Sequence, residues 1–292
     1  MTRLPTGEQF QITSGPYAAV VTEVGATLRS LTFDGAEILH TFAEDEAPHG
    51  SMGRQLVPWP NRIRDGRYTF DGTAHQLAIT EVERNTALHG LGEGVAWRLV
   101  AHDASSVTLS TTIFPQQGWD GVLDVAVTHA VSDDGLSVSV TATNVGSSRC
   151  PYGYGAHPYV AADLAESTLT LPFRRELQVD PERLLPIAVG PVSPEHDFVS
   201  PRPVADTFFD SAFVDPIGAW EITLETPRHR VVFWADDTQP WAQIFTNKTR
   251  DAMAIEPMTC GPDAFNEGPT HDSLTVLEPG ATATSVWGIR IG

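Results

Sequence analysis

The sequence predicts an all-β chain, a β-sandwich or barrel, and three observations carry that expectation. Period-two alternation recurs at Val107, Leu109, Thr111 and Ile113, at Leu123, Val125, Val127 and His129, and at Leu136, Val138, Val140 and Ala142. It returns at Leu169, Leu171 and Phe173 and at Trp220, Ile222 and Leu224, so each segment reads as a half-buried antiparallel strand with one face toward a core. The 24 Gly and 22 Pro among 292 residues suit many short strands joined by turns and poorly suit long helices. No window of comparable length shows a 3.6-residue period, and no internal repeat is visible.

Taken along the chain, strand signals first lapse over Ala43 to Arg67, where His49, Arg54, Asn61 and Arg62 gather around Pro58 and Pro60. Long irregular segments on a rigid β scaffold are where sites tend to be built. Asp71-Gly72, Asp120-Gly121 and Asp134-Gly135 supply turn chemistry between strands, each pair able to adopt positive φ. The Pro-rich stretch Pro181 to Pro203 reads as a long surface loop, because strand patterns continue on both sides without a change in composition. Residues 1–292 are therefore expected to form one domain.

The 18 Lys plus Arg against 37 Asp plus Glu leave a formal charge of −19, which excludes a strongly basic nucleic-acid binder. Residues 1 to 15 lack a signal-peptide apolar core, and no stretch approaches the ~20 apolar residues of a membrane span, so a cytoplasmic protein without a membrane partner is expected. Cys150 and Cys260 are the only cysteines and lie far apart without a CxxC partner, so they read as two free thiols.

Four clusters place polar, titratable residues among Gly, Pro and aromatics: PWPNRIRDG (58–66), ALHGLG (87–92), YGYGAHPY (152–159) and IEPMTCGPDAFN (255–266). Glu256 follows the apolar run Met253-Ala254-Ile255, so burial would favour its neutral form and make it a better base near neutral pH. A buried ion pair with an arginine accounts for it equally well. Together the clusters hold a carboxylate, two imidazoles, a guanidinium, an amide and aromatic platforms at Trp59, Phe245 and Phe265. Planar polar groups hydrogen-bond sugar hydroxyls while aromatic faces cover the C–H surface of the ring, so the set suits a carbohydrate. No nucleophile elbow, Walker loop, H-E-x-x-H motif or Rossmann glycine pattern is present, which leaves acid/base chemistry without a cofactor.

These motifs resemble the aldose 1-epimerase (mutarotase) family. The matching features are Asn61-Arg62, the Leu-His-Gly around His89, His157 in GAHPY, Asp210 in FFDSAF, Gln243 in AQIFT, and EPMT with PDAFN, in the family's order. The resemblance implies a large antiparallel β-sandwich, often called a supersandwich, whose open face holds a monosaccharide. It implies Glu256 as general base toward the anomeric hydroxyl, His157 as general acid toward the ring oxygen, and His89 as a second imidazole donor. Arg62, Asn61, Asp210 and Gln243 become binders of hydroxyls, with no metal and no cofactor. A carboxylate beside His157 is expected to favour its protonated form. Asp65, Arg64, Asp263 and His49 are read as structural.

Ala156-His157-Pro158-Tyr159 stands where galactose-type members carry an Asn-His-Ser-Tyr-like segment, and Gly261 where Pro is common. Both features resemble a less characterised bacterial branch whose members are associated with other sugars, sulfoquinovose among them. An anionic substituent would call for a further cation such as Arg54 or Arg64. Three other readings compete: a glycoside hydrolase pairing Glu256 with Asp210 or Asp263, a sugar-binding module that does not need His157 and Glu256 together, and a zinc site of His89, His157 and Glu256. The assembly is expected to be a monomer or a homodimer.

Overall fold

A computed structural model describes residues 3–218 and 220–292. Strand accounts for 51% of the chain and helix for 3%, so the architecture is all-β, and its sheets are antiparallel. The nine-stranded sheet takes the order Arg98–His102, Ser106–Ile113, Leu123–Ser132, Gly135–Asn144, Thr282–Ile291, Arg230–Ala235, Glu221–Glu225, Thr168–Thr170 and Arg202–Pro203. The eight-stranded sheet takes the order Pro186–Pro191, Phe173–Val179, Asp210–Pro216, Trp241–Thr246, Ala252–Met258, Gly155–Ala156 and Gln55–Leu56, with Tyr159–Ala161 also pairing onto Ala252–Met258. A four-stranded sheet near the N-terminus spans Gln9–Ser14, Tyr17–Thr22, Leu28–Phe33 and Ala36–Glu37.

Alternate residues of both large sheets meet in one apolar cluster. Val107, Leu109, Val125, Val127, Val138, Val140 and Trp287 enter it from the first sheet, and Phe213, Ile244, Met253 and Ile255 from the second. Period two then fixes the other face of the second sheet: Gln243, Phe245, Ala254 and Glu256 point away from that cluster because their neighbours point into it. Gln243 stands opposite Glu256 in register, and Tyr159 opposite Ala254.

The Asp71-Gly72 turn joins Arg67–Phe70 to Thr73–Gln76 with both residues at positive φ, as a two-residue hairpin requires. The Asp120-Gly121 expectation is displaced. The left-handed residue is Gly118, where a Cβ would lie 2.5 Å from the Gln76 and Leu77 backbone, so close packing selects the glycine there. The Pro-rich stretch is not wholly loop either: Pro186–Pro191 forms the outermost strand of the eight-stranded sheet, a place where proline's missing N–H is tolerated. Cys150 and Cys260 are buried free thiols. No helix of the described residues is long and apolar enough to cross a membrane.

Candidate active site

A cavity of about 800 Å³ opens on the outer face of the eight-stranded sheet. Its walls include all seven residues singled out from the sequence: Asn61, Arg62, His89, His157, Asp210, Gln243 and Glu256. They come from distant parts of the chain. Gln243 and Glu256 share a cross-strand row, Asp210 opens the strand paired in register with Phe245, and His157 precedes the strand laid against Ala252–Ala254.

His157 Nε2 lies 3.3 Å from Glu256 Oε1, and both side chains are buried, at 8% and 2% exposure. Burial acts on both partners toward their neutral forms. It pushes the Glu256 carboxyl well above the usual carboxylate range, reinforced by Asp210 and Glu93 and opposed by Arg62. It pulls the His157 imidazole down to about 4. The expected protonated His157 is therefore corrected: burial lowers the imidazole, and it favours the neutral form of both partners. His157 Nδ1 and Glu256 Oε2 have no hydrogen-bond partner among the described residues. Tyr159 stacks on His157 with ring centroids 4.9 Å apart, fixing the imidazole plane.

His89 is set by a different device. The Asn61 backbone N–H donates to His89 Nδ1 at 3.2 Å, while the His89 N–H donates to the Asn61 carbonyl at 2.9 Å. With Nδ1 accepting, the ring is neutral and its proton sits on Nε2, which makes it a donor. Burial, His157 and Arg62 together hold the ring well below the ordinary histidine range. Asn61 and His89 both have left-handed backbones, φ 56° and 61°, conformations that non-glycine residues hold only where the surroundings impose them.

The hydroxyl-binding groups form a second network. Asn61 Nδ2 donates to Gln243 Oε1 at 3.4 Å, and Gln243 Nε2 donates to Asp210 Oδ1 at 2.9 Å. Gln243 is thus more than a strand residue with a water partner, because it orients Asp210. Arg62 is held by Glu81, with Nε and Nη2 donating at 2.8 and 2.9 Å. Arg62 pairs with Glu81 and forms no salt bridge with Asp210.

Some expectations need correcting. Trp59 and Phe265 pack on each other inside the core, 5.8 Å between centroids, so of the three expected platforms only Phe245 faces the cavity; Tyr159 and Phe208 complete the aromatic wall. Asp263, from the PDAFN motif, lies outside the cavity lining. Its carboxylate accepts from the Arg64 N–H and from Asn266 Nδ2, both at 2.8 Å, and its own N–H donates to the Arg62 carbonyl at 2.7 Å. PDAFN thus braces the Asn61–Arg64 segment from behind, and Asp263 is not placed to pair with Glu256 as a hydrolase would need. Arg54 and Arg64 are absent from the lining; the cations that do line it beside Arg62 are Arg84 and Lys248. Sequence reasoning missed Glu81 and Arg84. Their signal is a Glu and an Arg three residues apart in ITEVERNT, between two short strands.

Among known proteins, the aldose 1-epimerase family profile matches residues 8–290. The uncharacterized protein YihR of Escherichia coli (strain K12) is 33% identical over 282 residues, which cover 94% of this chain and 90% of that protein. Among solved structures, a GalM/aldose epimerase homologue from C. elegans superposes with a TM-score of 0.86 at 22% identity, covering 98% of each chain. The galactose 1-epimerase of Lactobacillus acidophilus NCFM superposes at 0.80 and 16% identity, covering 100% of this chain and 97% of that one. A match over nearly the whole sequence, with the same sandwich in proteins of low identity, establishes that this chain belongs to the aldose 1-epimerase family.

Proposed function

We propose that residues 1–292 act as one domain that interconverts the α and β anomers of a monosaccharide without a cofactor. The observation that carries this reading is the His157–Glu256 contact at 3.3 Å, at the wall of a cavity that also presents Asn61, Arg62, Asp210, Gln243 and His89. The pair holds one proton. As carboxylic acid and neutral imidazole it is the low-energy form of a buried site, and transfer across the contact converts it to carboxylate and imidazolium. A sugar whose O1 hydroxyl donates to Glu256 favours that transfer, since a hydrogen bond to the charged carboxylate stabilises it.

Glu256 then takes the O1 proton as the C1–O5 bond breaks and His157 delivers its proton to O5. The product is the open-chain aldehyde, with the pair back in its neutral form and proton count unchanged. Rotation about C1–C2 presents the other carbonyl face, and the reverse transfers close the opposite anomer. His89, a fixed Nε2–H donor, supports the oxygen side. Arg62, Asn61 and Asp210, the last oriented by Gln243, hold ring hydroxyls, and Phe245, Phe208 and Tyr159 cover apolar ring surface.

The test is anomer exchange, followed by NMR or polarimetry on freshly dissolved aldoses. Acceleration above the spontaneous rate by the wild type and not by Glu256→Gln is the expected result. Sugar binding without acceleration would overturn the reading in favour of a binding module.

A further inference from the structure

Glu81 is a buried carboxylate in the cavity wall that the acid/base chemistry does not use. It precedes the short 3₁₀ turn Val82–Arg84, which closes on Asn85 in a left-handed conformation, φ 52°. Glu81 and Thr86 exchange backbone hydrogen bonds at 3.1 and 3.2 Å, so the turn brings the side chains of Glu81, Arg84 and Thr86 together. Arg62 arrives from the paired strand, where it stands opposite Leu88. The turn is pinned from outside by Arg183, which donates to the carbonyls of Arg84 and Asn85 at 2.9 and 3.1 Å.

Glu81 accepts from Arg62 twice, from Arg84 Nη1 at 2.9 Å and from Thr86 Oγ1 at 2.7 Å, so both oxygens carry two hydrogen bonds. A carboxylate so saturated has no lone pair free to take a substrate proton. Its fork-to-fork contact does fix the plane of the Arg62 guanidinium, and one of its oxygens also anchors Arg84.

We propose that Glu81 is the positioning residue of this site, holding Arg62 and Arg84 as a paired clamp for sugar hydroxyls and offsetting part of their combined positive charge. The proposal rests on the sugar-binding reading of the cavity. Arg62 draws the Glu256 carboxyl downward, and Arg62 and Arg84 both draw Asp210 downward. Glu81 acts on Asp210 in the opposite sense, so it offsets part of the pull of the two guanidiniums there.

A double-mutant cycle of Glu81→Gln, Arg62→Met and the combined variant tests this, read by NMR titration of aldose affinity together with KM, kcat and the pH profile. Glu81→Gln is expected to weaken aldose binding and raise KM about tenfold, more than it lowers kcat, and to move the alkaline limb of the rate to lower pH. Glu81→Asp should recover part of the affinity, and adding Glu81→Gln to Arg62→Met should change it little further. Since Glu81→Gln strands a buried guanidinium, Arg62→Met with Glu81→Met serves as the folded control, checked by thermal unfolding. Independent, multiplying effects, or unchanged affinity in a folded Glu81→Gln, would overturn the proposal. So would a loss of kcat with binding intact, which would move Glu81 into the chemical step. If the wild type turns over no aldose while the binding cycle behaves as expected, the mutarotase reading fails and the positioning role stands.

Discussion

Two buried acid–base pairs share one cavity and settle into opposite states. Arg62 and Glu81 are both ionised: burial alone would raise the Glu81 carboxyl, but hydrogen bonds from Arg62 and Thr86 and the charges of Arg62 and Arg84 carry it below the usual carboxylate range. His157 and Glu256 are both drawn toward their neutral forms, each leaving one polar atom unbonded among the described residues. Glu256 is the more deeply buried of the two carboxylates. Saturation differs as well, four hydrogen bonds converging on Glu81 against a single contact on Glu256. A buried charge persists where donors replace its hydration, and gives way to a proton where they do not. The first pair is therefore a fixed frame and the second a movable proton.

The largest effect that would break this contrast is on turnover. Glu256→Gln should cut kcat for anomer exchange by ~10²–10⁴-fold while sugar affinity by NMR titration stays within a few-fold, because general acid/base contributions are of that order. A variant with near wild-type kcat would remove Glu256 from the proton path.

Stability should separate the pairs next. Arg62→Ala removes two of the four donors to the buried Glu81 carboxylate, leaving Arg84 and Thr86, and is expected to lose about 3 kcal/mol in urea unfolding. His157→Phe leaves a Glu256 whose neutral form burial already favours, and should lose roughly 1–2 kcal/mol, the cost of one unmet hydrogen bond. Equal losses would mean that the pairs do not differ in charge state.

The core offers a smaller effect of the same kind. His129 is fully buried opposite Val107 and Val138, neither ring nitrogen has a partner among the described residues, and burial pulls its imidazole down to about 3. The unfolded chain binds that proton below the ordinary histidine value of 6.5, so stability drains as pH falls from there toward 3. His129→Leu should remove this drain, worth roughly 2–3 kcal/mol between about pH 5 and pH 4 by denaturant midpoint. An unchanged acid limb would show that another group dominates it.

The finest discrimination is in the sign of two stability curves. Glu81, with a depressed folded value, contributes stability that is present above the unfolded carboxylate pKa and lost as pH falls, so Glu81→Gln should flatten the acid side. Glu256, with a raised folded value, contributes stability that is full at low pH and lost as pH rises through its folded pKa, so Glu256→Gln should flatten the alkaline side. Thermal midpoints across pH for both variants check this, and a shared sign would contradict the charge states.

The nine-stranded sheet was legible in the sequence because each of its central strands buries one face, which writes the period directly. The strand carrying the site was harder to read. All seven residues of Ala252–Met258 are buried, since the face opposite the core is covered by the site itself, and no alternation survives there. The seven motif residues were legible as residue types and as a resemblance, and they line one cavity. Trp59 and Phe265 misled because an aromatic beside a polar motif has the same signature whether it faces a ligand or packs beneath it. Glu81 and Arg84 were invisible for the opposite reason: in sequence they look like any solvated charge pair, and only the left-handed Asn85 turn and the strand pairing of Arg62 bring them inside.

The left-handed backbone at Ser51, Asn61, His89 and Leu184, all in the cavity wall, bears on how this chain would respond to mutation. At each position glycine relieves a backbone conformation that opposes the side chain by ~1–3 kcal/mol, and at Asn61 and His89 it deletes a group the site uses. Selection for thermal tolerance alone would therefore drift toward glycine at these positions and leave a sturdier sandwich with a silent cavity, whereas selection for turnover would hold the strained residues in place.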